Sequence, residues 1–133
     1  MTAGTTFRLG LDDLLGELRR RSWTLVRWGE PDRPALLAAA FTWQTFWDVL
    51  ILRSEEQASG YRAPRAEGLE AFNPEMVVYQ YHQSPLWVLR AILALPVPGS
   101  PAAPTLLERP KHPECFISDD LPTPVVIRPV GVR

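Results

Sequence analysis

A chain of 133 residues fits one domain, and a domain of this size buries about two thirds of the surface its unfolded form exposes, so it needs no covalent or metal staple. A formal charge of −1 gives no general pull toward nucleic acid or acidic membranes, and 46% hydrophobic with 22% charged residues excludes a disordered polyelectrolyte. The single cysteine, Cys115, excludes an intrachain disulfide. The N-terminal "MTAGTTFRLGLDDLL" lacks the basic-then-apolar layout of a secretion signal, and the apolar run at 86–95 is too short to span a bilayer. A cytoplasmic protein with no membrane partner is expected. Basic charge rests on 13 arginines and one lysine, and 14 prolines are present, a bias of the kind a GC-rich bacterial genome imposes.

Leu11, Leu14, Leu15 and Leu18 follow the i, i+3, i+4, i+7 spacing of an amphipathic helix. Asp12 and Asp13 are expected in its first turn and Arg19, Arg20 and Arg21 in its last, matching the helix dipole at both ends. Trp23 to Trp28 is aromatic and β-branched and runs into "GEPDRP", which reads as a strand ended by a turn. Ala35–Trp43 carries helix-forming alanines and leucines but lies between two strand-like runs, and a strand is expected there because pairing overrides propensity. Phe46–Arg53 has apolar residues on both faces, the pattern of a central strand covered on both sides.

From Ser54 to Asn73 the chain is polar without a sustained period. A helical turn at 54–57 and a short strand near Tyr61 are the only regular pieces expected in an otherwise long loop, a candidate binding edge or lid. "MVVYQYHQ" alternates as a strand, with Val77, Tyr79 and Tyr81 on one face and Val78, Gln80 and His82 on the other. Ser84 then offers a helix N-cap and Pro85 a first helical residue, opening an almost wholly apolar helix to about Leu95. Such a helix is buried or covered by a partner. Nine of the 14 prolines fall after residue 95, so residues 96–133 read as an extended proline-rich arm that lies on the core domain 1–95 or on a partner, with "PVVIRPV" a possible edge strand. The expected class is therefore α+β: an N-terminal helix, a mostly antiparallel meander, a strand leading into a buried helix, and the arm.

Candidate sites are few. His82, one residue from a helix start, is a weak catalytic candidate, because a lone histidine fills only one of the roles that a nucleophilic site requires. A ligand pocket around Tyr79, Tyr81, His82 and Ser84 with the 54–73 loop is the enzyme or ligand-binding alternative. "KHPEC" puts His112 three residues from Cys115, but zinc needs three or four protein ligands, and no metal or other cofactor is expected. No glycine-rich phosphate loop or nucleophile elbow is present. Arg19, Arg20, Arg21 and Arg27 beside Trp23 and Trp28 combine the residue types most enriched at binding hot spots. On a strand those two tryptophans face opposite ways, which suggests an aromatic contact surface. The leading expectation is a non-enzymatic module that self-associates or binds a protein through that surface. Nucleic-acid binding through Arg19–Arg21 and the tryptophans ranks third, since net charge opposes it.

Overall fold

The computed structural model describes residues 3–128, with side chains described from residue 12 on. It is an α+β fold of two helices and one six-stranded antiparallel sheet. The elements are α1 (Ala3–Arg20), β1 (Thr24–Gly29), β2 (Pro34–Thr42), β3 (Phe46–Leu52), β4 (Ala58–Pro64), β5 (Tyr79–Gln83), α2 (Pro85–Leu93) and β6 (Pro124–Ile127). Sheet order is β5-β4-β3-β2-β1-β6, so β1 to β5 pair with their neighbours in the chain and β6 returns to the free edge of β1. Among the described residues, no helix is long and apolar enough to cross a membrane.

Helix α1 begins well upstream of Leu11, whose side chain lies outside the described ones, so Asp12 and Asp13 sit mid-helix on the exposed face and not in a first turn. Leu14 and Leu18 are buried. The helix ends in a Schellman turn: Ser22 N–H donates to the Arg19 carbonyl, Trp23 N–H to the Leu18 carbonyl, and Ser22 takes the left-handed backbone (φ 67°) that glycine usually fills. The accompanying apolar contact sets Trp23 among the buried residues around Leu18.

Segment 35–43 is strand despite its alanines. Ala38 and Ala39 are buried on opposite faces, one in each of the two packed layers. Between 54 and 73 the short strand expected near Tyr61 is present and longer than expected: β4 runs seven residues inside the sheet, with all but its last residue buried. The predicted helical turn at 54–57 is instead the β3–β4 connection, where Ser54 Oγ accepts the N–H groups of Glu56 and Gln57 at 3.2 and 3.1 Å. Gly60 is required in β4: a Cβ there would stand 2.5 Å from Ile92 Cγ1 and 2.7 Å from Val88 Cγ1, so α2 packs directly on the strand backbone.

Both faces of the sheet are covered. On one, α1 and α2 bury Trp23, Leu25, Ala39, Leu50, Leu52 and Ala58. On the other, Val26, Trp28, Val49, Ile51, Tyr61 and Ala63 lie beneath Ala71 and Phe72 of the β4–β5 connection and beneath Cys115, Phe116, Ile117 and Leu121 of the arm. Tyr61 anchors the connection by donating to the Ala71 carbonyl at 2.6 Å. This double cover overturns the expected aromatic contact surface. Trp23 and Trp28 do point to opposite faces, but both are interior, 4% and 6% exposed, and Trp28 meets Phe72 edge-on at 5.5 Å. The outward tryptophan is Trp87 on α2, 55% exposed beside Leu86 at 47%, while Pro85, Val88, Leu89 and Ile92 of that helix face the sheet.

Candidate functional site

The register of β4 and β5 pairs Ser59 directly with His82, and both side chains stand on the loop-covered face. Gln80, two residues before His82, shares that face. Its amide orientation is set by three backbone and side-chain partners from the arm. Nε2 donates to Glu108 Oε1 at 3.1 Å and to the Arg109 carbonyl at 2.9 Å, and Oε1 accepts the Lys111 N–H at 2.8 Å. Because Gln80 Oε1 can only accept, the His82 Nε2 that lies 3.0 Å from it carries the ring proton. His82 Nδ1 is then unprotonated and accepts the Ser59 hydroxyl at 2.9 Å. The chain thus fixes a Ser59–His82–Gln80 relay with a defined tautomer.

Cys115 joins from the arm, its Sγ 3.6 Å from Gln80 Oε1 and 4.0 Å from His82 Nε2. This is not a thiolate–imidazolium pair. Burial pushes the thiol up to about 11, and burial likewise lowers the His82 pKa, with Glu114 opposing and Lys111 and Arg53 assisting. Both groups are neutral near pH 7. Ser59 and Cys115 are buried, so neither is presented to an incoming electrophile, and the relay's third member is a neutral amide and not a carboxylate. The arrangement can hold a hydrogen-bonding wall in one state; it lacks the parts of a nucleophilic enzyme.

That wall bounds a cavity of about 270 Å³, whose polar lining includes Arg53, Glu56, Gln57, Ser59, His82, Gln83, Lys111 and Glu114. Arg53, just beyond β3, fastens the arm over it. Its Nε donates to the Glu114 carbonyl at 3.2 Å, and its Nη2 reaches the carbonyls of Pro113, Glu114 and Phe116 at 3.0, 2.6 and 2.6 Å. The Glu114 side chain is left otherwise: its Oε2 is buried with no hydrogen-bond partner. Two other clefts lack this chemistry. The larger, about 410 Å³, lies between the 64–76 segment and Leu107, with Glu70, Glu75 and Asn73 as its polar groups and no histidine or cation. The third, about 240 Å³, is walled by Trp23, Phe41 and Trp43 at the end of α2, and its Asp48 is already paired with Arg62.

The expected pocket residues divide. His82 is half-buried in the cavity wall. Tyr79 and Tyr81 are on the opposite face of β5, packed against the helix-side core, and cannot share the cavity. Ser84 occupies the N-cap position of α2, but its side chain makes no cap hydrogen bond. Of the expected basic patch, Arg20 and Arg21 pair with Glu17 at 2.8 and 2.7 Å, Arg19 is exposed, and Arg27 donates to its neighbouring Gly29 carbonyl at 3.0 Å. With Trp23 and Trp28 interior, no aromatic face accompanies these arginines for base stacking. His112 stacks on Phe116 at 4.8 Å, and among the described residues no three His, Cys, Asp or Glu side chains converge as a metal site. Sequence reasoning missed Arg53, Ser59, Gln80 and Lys111. Only Gln80 left a signal, the alternation that puts it on the His82 face.

No protein-family model matches this chain, and comparison with curated proteins and with solved structures gives no match.

Proposed function

We propose that this chain is a non-enzymatic binding protein for a small polar ligand, held in the cavity beside His82. The observation that carries the reading is the fixed Ser59–His82–Gln80 relay opening onto a charged cavity of about 270 Å³. A neutral imidazole held at both nitrogens forms a pre-organised polar surface, which lowers the ordering cost of binding. The volume is roughly nine times one water's share of the liquid, enough for a molecule of about ten non-hydrogen atoms. The proposal includes the cytoplasmic location expected from the sequence.

The test is a panel of amino acids, small carboxylates, small amines and glycerol, each added at millimolar concentration to protein with labelled histidine. A saturable shift of the His82 ring resonances, lost in a cavity-filling Ser59→Leu variant that remains folded, is the expected result. If no class of compound moves the His82 resonances, the reading falls.

A second reading retains protein contact or self-association, moved from Trp23 and Trp28 to α2. It is favoured by Leu86 and Trp87, which are half exposed, with the Arg90 guanidinium 5.5 Å from the Trp87 ring centre. Light scattering of the wild type and Trp87→Ala tests it: a dimer that the substitution dissociates is expected, and a monomer at all concentrations sinks the self-associating form.

A further inference from the structure

Two opposite charges border the His82 cavity without meeting. Glu114 Oε2 is buried and has no hydrogen-bond partner. Among the described residues, the Lys111 ammonium has neither an ion-pair nor a hydrogen-bond partner, although the Lys111 backbone N–H is held by Gln80. The two residues are only three apart in the arm and line one cavity, yet no ion pair forms between them. Arg53 explains why. By gripping the carbonyls of Pro113, Glu114 and Phe116 it fixes the backbone between and beyond them, so the side chains are placed by the fold and not by mutual attraction.

A buried carboxylate oxygen without a donor costs on the order of 1–3 kcal/mol, more when charged, and a charge-assisted donor satisfies it best. The formal charges of Arg53, Lys111, Glu56 and Glu114 cancel, which disfavours a ligand of strong net charge. Resting on the binding reading above, we infer that the ligand is a small zwitterion of the α-amino-acid type. Its ammonium group lies at the Glu114 carboxylate, and its carboxylate at Lys111. The cavity's size suits a free amino acid.

The experiment compares each standard amino acid with its des-amino carboxylic acid and its decarboxylated amine, following the His82 ring resonances and affinity by titration calorimetry. Wild type, Glu114→Gln and Lys111→Met are used, each checked for folding by circular dichroism. At least one amino acid should bind at least tenfold more tightly than both of its single-ended analogues. Glu114→Gln should weaken the amine but not the carboxylic acid, and Lys111→Met the reverse. If an analogue or glycerol binds at His82 as tightly as any amino acid does, the zwitterion assignment is overturned while the cavity remains a binding site. If nothing moves His82, both are overturned.

Discussion

The buried pair of Asp48 and Arg62 offers the sharpest test of how this sheet is held together. The two residues are direct partners on β3 and β4, 3% and 1% exposed, under the helices. Arg62 Nε and Nη2 donate to the two Asp48 oxygens at 2.6 and 2.9 Å. Arg62 Nη1 donates to the Pro96 carbonyl at 2.7 Å, and Trp43 Nε1 donates to Asp48 Oδ2 at 2.9 Å. Every partner is therefore fixed by another element, and the pair ties the start of the arm to the middle of the sheet. Removing one member leaves the other charge buried and uncompensated, which costs about 3–5 kcal/mol. Against a total stability of about 5–15 kcal/mol, either Asp48→Leu or Arg62→Met should remove a large share, and at roughly 4 °C per kcal/mol the melting temperature should fall by about 12–20 °C. The double variant Asp48→Leu/Arg62→Met removes both charges together and should cost far less than the sum, about 2 kcal/mol or below. Urea unfolding followed by tryptophan fluorescence measures all four states of the cycle. Single variants that each cost under about 1 kcal/mol, or a double variant that costs the full sum, would refute the reasoning.

Three further outcomes follow from the packing. Gly60→Ala should destabilise by about 1–3 kcal/mol through its clash with Ile92 and Val88, and Ile92→Ala should cost less in that background than in the wild type; simple additivity would show that α2 does not rest on Gly60. Cys115, wholly buried with its thiol pushed up to about 11, should react with a thiol-specific reagent only as the protein unfolds in urea, so rapid labelling of the native state would place it wrongly. The lowered His82 pKa means the unfolded chain binds more protons between the folded value and about 6.5, so melting temperature should fall as pH drops through that window and level off below it. A His82→Gln variant should lack this slope, and an NMR titration midpoint for His82 at or above about 6.5 would contradict it.

What the sequence revealed and concealed has a physical pattern. A strand whose residue types alternate was legible: "YQYHQ" put Gln80 and His82 on one face, and strand pairing outweighed the alanines of β2 as expected. The full extent of strand β4, beyond the short piece expected near Tyr61, was hidden because its buried positions are filled by Ser59, Gly60 and Arg62, each there for a specific partner: His82, α2 and Asp48. Composition reads such residues as loop. The tryptophans misled for the opposite reason. Facing both ways, they implied either a two-sided core or a surface, and the choice depended on cover from distant segments: the helices over Trp23, and Phe72 with the arm over the face of Trp28. The candidate site was the least legible part. Its base comes from β5, but the contacts that orient that base and charge the cavity come from residues 108–114, and Arg53 meets them across 61 positions of chain.

The arm therefore does two jobs at once, and one constrains the other. Its apolar residues, Cys115, Phe116, Ile117 and Leu121, close the second face of the sheet, which fixes where the preceding turn must lie. Arg53 then pins that turn through three backbone carbonyls, so the position of the cavity's charges does not depend on the charges themselves. This separation lets Lys111 and Glu114 stay apart. A backbone clamp beneath an uncommitted pair is the arrangement a binding site requires, because the groups that recognise a ligand are then positioned before it arrives.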